Sequence, residues 1–287
     1  MTRFNRVASV EIGLRNANFS GYIGTIKLSN LRTAFSVQKN LAWSANTASV
    51  KIWNLSQEKR NRIKDYGDQV IVSAGYSEDA GEQLLFIGNT TQVSHAYEQP
   101  EIITTLDCGD GERILNQKHI SVSFKEKIPV RQVIETIAQQ MELTISEFTP
   151  TDNVVYEQGF EYIGMGKNAI DKTVARLGLK WSVQNGKLQI IPLFGTTSKP
   201  AVEINADTGM IGIPQRFTDK RAALYLGGPK TGYIVTTTLR PDILPGDLIN
   251  VKSQRIGLDG PYSVYSIKHE GDTFGPNWRS TMEIILI

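Results

Sequence analysis

The chain has 287 residues, of which 40% are hydrophobic and 21% are charged, and its formal net charge is +2. This length can bury a real core and is typical of two or three ordinary domains. The near-neutral charge argues against a dedicated nucleic-acid binder, which usually carries a dense basic patch, and the composition does not indicate disorder.

The single cysteine, Cys108, cannot form an intrachain disulfide. We expect it to be a small buried side chain in a strand rather than a nucleophile. The first residues lack a long apolar segment and a cleavage site, and no apolar run approaches the length of a membrane span. The sequence therefore predicts no secretory signal and no membrane insertion, and we expect a soluble protein in the cytoplasm where it is made.

Residues 7–108 alternate between apolar and polar side chains, which is typical of half-buried strands. We predict strands at residues 10–14, 26–28, 31–37, 50–52, 70–76, 84–93 and 102–108. A short helix over residues 57–66 interrupts them, with Asn54 or Ser56 as its cap and Gly67 at its end. This pattern favours a closed or nearly closed β-barrel or a sandwich, because closure removes exposed strand edges.

Residues 166–192 give the clearest local pattern of the chain. Ile170, Val174 and Leu177 recur at helical spacing, and Gly178 follows where a helix ends. Alternating residues then predict strands at 179–183 and 188–192, joined by a tight turn at Asn185-Gly186.

Residues 130–145 align with this segment at a shift of 36 residues, so that Ile134 matches Ile170 and Leu143 matches Leu179. The alignment indicates two tandem helix–strand units, although any two amphipathic helices followed by strands align in this way, and chance similarity stays open. A strand at 121–124 and Pro129, which suits a first helical turn, precede the first unit. A polar connection over residues 149–159 separates the two units.

Residues 195–200 are predicted to form a linker, followed by a second all-β unit. Its strands are predicted at residues 210–213, 223–226, 233–239, 247–251, 262–268 and 280–287. Pro245-Gly246 suits a type II turn, because proline fixes φ and glycine accepts a positive φ. The core of this unit can also draw strands from the first.

The predicted fold class is therefore α+β and mainly β, with two antiparallel β domains flanking a small α/β domain. We place the first β domain at residues 1–118, the middle domain with its two helix–strand units at 119–196, and the second β domain at 197–287.

The candidate metal ligands are scattered. His95, His119 and His269 are far apart, and none has a neighbour at ligand spacing. Residues 107–112 gather three carboxylates, but they lack the order of an EF-hand loop, so we interpret them as a turn that ends a strand.

The glycines at 159, 164 and 166 with Lys167 hint at a phosphate loop. Met165 and Asn168 stand where that motif needs lysine and serine or threonine, which leaves only a weak case for anion binding at a helix start.

The sequence contains no G-x-S-x-G elbow, and no pair of glycosidase carboxylates can be distinguished. The four tryptophans lie in separate units, and packing explains them best; they are Trp43, Trp53, Trp181 and Trp278. We therefore predict no catalytic, cofactor-binding or metal-binding residues, no cofactor, and a protein that is not an enzyme.

Several stretches, taken together and in order, resemble the central baseplate hub proteins of contractile-tailed bacteriophages. They are IWNLSQEKRNRIKDYGDQVIVSAGY (52–76), FIGNTTQV (86–93), LDCGDG (106–111), residues 166–192, TGMIGIP (208–214), LRPDILPGDLINV (239–251) and GPYSVYSIKHEGDTFGPNW (260–278). They cover most of the chain.

The resemblance implies a homotrimeric ring in which two tail-tube-like β-barrels per subunit imitate six tube subunits. Such a ring joins the sixfold tail tube to the threefold central spike, contacts the baseplate wedge proteins, and leaves a channel through which genomic DNA passes without specific binding. It implies a virion location in the tail baseplate after assembly in the host cytoplasm, and it carries no catalytic residue over to this chain. The wall of such a channel should avoid a strong positive field.

Two other functions stay open at this point. One is the hub of a bacterial contractile injection system or a phage-tail-like bacteriocin. The other, from a different class, is a cell-wall hydrolase whose carboxylates the sequence does not identify.

Overall fold

The computed structural model of the chain describes residues 5–15, 22–41, 44–63, 66–148, 154–219 and 230–287. The predictions for Trp43, for residues 64–65, for part of the polar connection (149–153) and for the strand at 223–226 lie outside these residues. The described part is mainly β, and antiparallel strands dominate it. This confirms the predicted fold class.

The described part of the first β region contains seven strands and one short helix. They are β1 (Arg6–Arg15), β2 (Tyr22–Leu28), β3 (Thr33–Asn40), β4 (Asn46–Trp53), α1 (Gln57–Arg62), β5 (Gln69–Tyr76), β6 (Gly81–Glu98) and β7 (Glu101–Asp110). Every predicted strand of this segment has a counterpart, because one face of each strand packs on a common apolar core. Helix α1 ends at Arg62, earlier than predicted, and Ser56 caps it by accepting a hydrogen bond from the Lys59 N–H at 3.4 Å.

The middle region, described except for residues 149–153, shows three helices and small sheets around its own core. Its elements are α2 (Glu112–Gln117), β8 (His119–Phe124), β9 (Ile128–Pro129), α3 (Val130–Gln140), β10 (Thr144–Phe148), β11 (Val155–Tyr156), β12 (Phe160–Met165), α4 (Gly166–Val174), a 3₁₀ turn (Ala175–Leu177), β13 (Leu179–Gln184) and β14 (Lys187–Pro192). The predicted strand at 121–124, both helices and the hairpin at 179–192 are confirmed. The short helix α2 and the strand β12 were not predicted.

The two helix–strand units are present, but their strands have different roles in the sheet. Strand β10 follows α3 and pairs with β14 in parallel, whereas β13 follows α4 and pairs with β14 in antiparallel register. The order β10-β14-β13 therefore places the strand of the first unit beside the closing strand of the second. Gly178 has a φ of 65° and ends the second helix in the left-handed conformation that glycine tolerates.

In the described residues of the second β region, six strands surround a third core. They are β15 (Val202–Ile204), β16 (Met210–Asp219), β17 (Lys230–Thr238), β18 (Leu248–Ser253), β19 (Leu258–Asp272) and β20 (Trp278–Leu286), with a 3₁₀ turn at Gln254–Ile256. Residues 195–201 have no regular structure, in agreement with the predicted linker. Gly246 has a φ of 93°, in agreement with the predicted type II turn.

The two β regions repeat one strand order. In the first region the order is β1-β5-β6-β7-β4-β3, with β2 added at the outer edge of β1, and in the second it is β15-β18-β19-β20-β17-β16. If β2 is left out and the other strands are numbered within each region, both orders read 1-4-5-6-3-2. All corresponding neighbours are antiparallel except β15–β18, which is parallel where β1–β5 is antiparallel. The chain therefore contains two copies of one β topology.

The two β regions are joined into one sheet of 13 strands. Residues 266–272 of β19 pair in antiparallel register with residues 34–40 of β3. The apolar core of the first region extends across this junction, since it includes Leu239 and Trp278 from the second. The domain limits predicted from the sequence stay a prediction.

Candidate functional site

The candidate functional surface is the open face of the large sheet, which is partly exposed across five neighbouring strands. Strands β7, β4, β3, β19 and β20 bury one face in the core, so alternate residues point to the other face. Cross-strand pairing places the following partly or fully exposed residues together on that face: Ser36, Gln38, Thr47, Ser49, Lys51, Thr105, Asp107, Ser266, Lys268, Glu270, Arg279, Thr281 and Glu283. The result is a continuous surface of hydroxyl, amide and charged groups.

The charges of the open face are balanced, with three basic and three acidic residues, and three of these six form ion pairs with one another. Lys268 Nζ lies 2.8 Å from Glu270 Oε1, and Arg279 Nη2 lies 3.0 Å from Glu270 Oε2. The hydrogen bond from Lys268 holds the pKa of Glu270 below its ordinary value. Glu283 Oε2 accepts a hydrogen bond from Ser266 Oγ at 2.7 Å. The two cations beside Glu270 are therefore already paired with a carboxylate of the wall.

A buried polar joint fixes the middle region against the first β region. Asp110, the last residue of β7, is fully buried and accepts hydrogen bonds from the backbone N–H groups of Asn185 at 2.7 Å and Gly186 at 2.8 Å. Asn46 Nδ2 donates to Asp110 Oδ2 at 3.3 Å and to the Val183 carbonyl at 2.7 Å. The β13–β14 turn is thus bound through its own backbone donors.

The turn in this joint has the conformation that the sequence predicts. Asn185 and Gly186 have φ values of 53° and 73°, as a type I′ turn requires at both central positions. This conformation points both N–H groups at one carboxylate. The tight turn is therefore a binding element as well as a connection.

Lys39 on β3 is the second charged group of the joint. It is 1% exposed, and its Nζ donates to Asn185 Oδ1 at 2.7 Å. Burial lowers the pKa of Lys39 to about 8, while the charge of Asp110 acts in the opposite direction. Burial raises the pKa of Asp110 to about 6, against the hydrogen bond from Gly186 and the charge of Lys39. Both groups are therefore mainly charged near neutral pH.

A second joint connects the middle region to the second β region. Gln189 Nε2 donates to the Pro245 carbonyl at 3.0 Å. Asp247 is 2% exposed and accepts hydrogen bonds from Thr197 Oγ1 at 2.8 Å and Lys199 Nζ at 3.1 Å. Gln189 therefore links the middle region directly to the second β region, while Asp247 binds two residues of the predicted linker between them.

The three histidines lie on different strands and do not share a site. His95 is exposed on β6 and contacts Thr104 Oγ1 at 3.1 Å, and His119 is exposed at the start of β8. His269 is buried on β19, where its Nδ1 lies 2.8 Å from Ser280 Oγ. That oxygen also accepts the Arg240 N–H at 2.8 Å, so its own hydroxyl is free to donate to the imidazole. His269 is thus a satisfied core residue.

The buried His269 gives a pH prediction. Burial lowers the pKa of His269 to about 3, so the unfolded chain binds a proton below about pH 6.5 that the folded chain does not. The stability that the neutral imidazole contributes is therefore lost as the pH falls. Between pH 7 and pH 5, we expect the unfolding free energy of the wild type to fall by about 2 kcal/mol more than that of His269→Gln. Urea unfolding at each pH measures this difference, and exposed His119→Gln should follow the wild type.

The remaining residues singled out in the sequence have structural environments. Cys108 is 3% exposed in β7, and burial raises the pKa of its thiol to about 12, which keeps it protonated. The Gly166 N–H donates to the Lys118 carbonyl at 3.0 Å, and Lys167 Nζ donates to Asn116 Oδ1 at 3.1 Å. Both groups at the start of α4 therefore bind within the protein.

The carboxylates at 107–112 do not converge. Asp107 lies on the open face, Asp110 is buried, and the side chain of Glu112 lies outside the described residues. The strand ends there as predicted, but Gly111, with a φ of 69°, leads into helix α2 rather than into a simple turn. Among the described residues, no group of three or more histidine, cysteine, aspartate or glutamate side chains could hold a metal ion.

The described tryptophans pack within the protein. Trp181 is 4% exposed in the middle core and donates to Asp171 Oδ1 at 2.5 Å. Trp278 contacts Phe35 with ring centroids 5.5 Å apart, so it lies where the two β regions meet. The Arg32 guanidinium lies 4.2 Å from the ring of Trp53.

A protein-family model described as "Baseplate hub gp41" matches residues 20–269, which is most of the chain. The chain belongs to the baseplate hub gp41 family. No curated protein matches it significantly. Membership of this family gives the chain a structural role in a baseplate hub and confirms the resemblance found in the sequence.

Solved structures share the fold of this baseplate hub protein at low sequence identity. A tail protein from Neisseria meningitidis MC58 has a TM-score of 0.67 and 11% identity, with 99% of this chain and 97% of that chain covered. The 43 kDa tail protein of prophage MuSo2 from Shewanella oneidensis has a TM-score of 0.63 and 10% identity, with 98% and 96% covered.

A third structure is the E. coli c3393 protein, a type VI secretion component described as similar to the T4 bacteriophage tail proteins gp27 and gp5. It has a TM-score of 0.55 and 9% identity, with 90% of this chain and 73% of that chain covered. These likenesses concern the fold. In the described part of the hub protein, no helix is both long and apolar enough to cross a bilayer.

The two joints and the open face were not found in the sequence. A buried carboxylate such as Asp110 is recognised only when its partners are known, and these lie 75 and 76 residues away. The sequence did predict a strand at residues 262–268, but it could not show which strands lie beside it.

Proposed function

We propose that three copies of this chain form the central ring of a contractile phage baseplate. The repeated strand order of the two β regions is the observation that carries this proposal. Three chains with two such regions each supply six equivalent β bodies, which match a sixfold tube on one side. The three middle regions supply a threefold set of contacts, which matches a threefold spike on the other.

The open polar face of the sheet is proposed as the wall of the central channel. DNA carries a dense line of negative charge, and unpaired lysine or arginine side chains would hold its phosphates. Here the cations beside Glu270 are paired within the wall, and the neighbouring residues are mostly small and polar. Such a surface suits passage of genomic DNA without specific binding.

The proposed position of the ring at the centre of the baseplate implies its remaining partners. We infer contacts with the tail tube protein, the central spike protein and the wedge proteins, in a virion baseplate assembled in the host cytoplasm. We also propose the limits 1–118, 119–196 and 197–287 for the three domains, and the presence of three apolar cores supports a division into three. We propose no catalytic, cofactor-binding or metal-binding residue.

A second candidate from the same machinery is the hub of a bacterial contractile injection system or a tail-like bacteriocin. The fold shared with a type VI secretion component favours it. Neighbouring genes separate the two: head and packaging genes in the same cluster support a phage, and their absence beside sheath and tube genes supports an injection system.

The mass in solution tests the ring directly. Light scattering on the purified chain should give three times the chain mass of 31.9 kDa, and negative-stain images of the same sample should show a threefold ring with a central opening. A monomer or a dimer at all accessible concentrations would contradict the proposal.

A further inference from the structure

The junction between the two β regions depends on a strand that changes its partner. Residues 258–263 of β19 pair with β18, and residues 266–272 pair with β3. A bulge against β20 between Val264 and Ser266 marks the change. Bulges bend a strand and alter its twist, which lets one strand serve two neighbours.

Strand β6 has the same position in the first β region as β19 in the second, and its pairing also changes at a bulge. Residues 81–89 pair with β5, and a bulge against β7 lies between Thr90 and Gln92. Residues 92–98, which match 266–272 in length, pair only with β7 among the described residues. They therefore carry a free edge at the place where β19 receives β3.

Strand β16 is the counterpart of β3 and has a free edge as well. It pairs only with β17 among the described residues, whereas β3 pairs with both β4 and β19. One chain thus contains one completed junction, between β3 and β19, and the two halves of a second, which are the free edges of β6 and β16. These halves lie on different β regions, so that a neighbouring copy can supply the missing half.

The completed junction sets the register of the second. In the first β region, Gln92 is the first residue after the bulge in β6, and it lies opposite Asp107 of β7. Asp107 pairs with Ser49 of β4, and Ser49 pairs with Ser36 of β3. Ser36 pairs with Glu270, the fourth residue after Ser266.

In the second β region, Ser266 is the first residue after the bulge in β19, as Gln92 is in β6, and it lies opposite Glu283 of β20. Glu283 pairs with Ile234 of β17, and Ile234 pairs with Gln215 of β16. Gln215 therefore corresponds to Ser36. Its expected partner is the fourth residue after Gln92, which is Ala96.

We propose that residues 92–96 of one copy pair with residues 215–219 of the next copy in antiparallel register, repeating between copies the junction of β19 with β3. Gln215 then lies opposite Ala96, and Phe217 lies opposite Ser94. This inference rests on the proposed ring, and it names the strands that close it.

Two features of β16 limit the proposed pairing to residues 215–219. Pro214 corresponds to Phe35 and has no N–H to donate, and β16 is bulged between Ile211 and Gln215. A free edge of this kind usually invites uncontrolled pairing unless a partner covers it or a proline or bulge interrupts it. Pairing that starts at Gln215 covers the free edge of the five residues that follow the interruption.

Paired cysteines test the register. In a Cys108→Ala background, Ser94→Cys and Phe217→Cys should form disulfides between copies upon mild oxidation, because directly opposed side chains have Cβ atoms about 4.5–5.5 Å apart. Most chains should then run as covalent dimers and trimers without reductant. The corresponding pair within one chain, Gln38→Cys with Lys268→Cys, should cross-link without changing the chain mass, which shows that the fold and the oxidation are intact.

A matched control uses Ser94→Cys with Thr218→Cys, since neighbouring residues of a strand point to opposite faces. This pair should give few covalent dimers. A ring of three copies in which Ser94→Cys and Phe217→Cys stay unlinked, or in which the control links as well, overturns the pairing and leaves the ring standing. A chain that stays monomeric contradicts both the ring and the pairing.

Discussion

Asp110→Ala is expected to destabilise the folded chain by about 3–5 kcal/mol, because it leaves a buried lysine without its counter-charge. The substitution also removes the acceptor for the N–H groups of Asn185 and Gly186 and for Asn46 Nδ2. Buried donors without a partner keep their full desolvation cost. Urea unfolding at pH 7, followed by tryptophan fluorescence, measures the change.

Asp107→Ala is the matched control, since Asp107 lies on the same strand but on the open face. Its unfolding free energy should stay within about 0.5 kcal/mol of the wild type, as is usual for surface positions. Equal changes in unfolding free energy for the two substitutions would show that the buried joint around Asp110 stabilises the fold no more than a surface carboxylate does.

Reversing the charge at Glu270 and Glu283 together is expected to make the ring hold DNA. Glu270→Lys frees Lys268 and Arg279 from their shared carboxylate, and the two substitutions add four positive charges per chain. DNA affinity should then rise at low salt, and the slope of log K against log [salt] should become steeper by about two to four, at roughly 0.9 for each new phosphate contact. Fluorescence anisotropy with labelled double-stranded DNA measures both quantities.

The matched control for this prediction is Glu157→Lys with Glu161→Lys, two exposed positions of the middle region. It changes the net charge by the same amount away from the open face. The control variant should not match the DNA affinity of the double substitution at Glu270 and Glu283. If both variants bind DNA equally strongly, the net charge alone determines the affinity, and the position of the charges on the open face has no effect.

Local features of the fold could be predicted because their causes are local. The alternation in β3 and β4 reports one buried and one open face, so the strands were found without their neighbours. The tight turn at Asn185-Gly186 was found because few residue pairs tolerate a positive φ at both positions. The end of α4 and its 3₁₀ turn at Gly178 followed from the same rule.

Features that depend on distant pairing could not be predicted in this way. The repeated strand order exists only in the pairing of strands, and two strands of one repeat, such as β1 and β5, are more than fifty residues apart. Periodicity also gave no sign that β6 continues past its pairing with β5 and offers a free edge, because its exposed residues look like any solvated strand.

The buried joint illustrates the same limit for single residues. Asp110 stands in a glycine-rich segment that is typical of a turn, and this is how the sequence was interpreted. Burial of its carboxylate is decided by the middle region, whose turn supplies two N–H donors. Lys39 was hidden for the same reason, since a lysine in an alternating strand is normally solvated.

The central claim is that two copies of one β topology in a single chain let three chains build a sixfold wall. A three-dimensional cryo-electron microscopy reconstruction of the purified oligomer tests it most directly. The account predicts six β bodies around one channel, with the first and second β regions alternating and the open face inward. A reconstruction in which only one of the two β regions borders the channel, or in which the open face points away from it, would contradict the account.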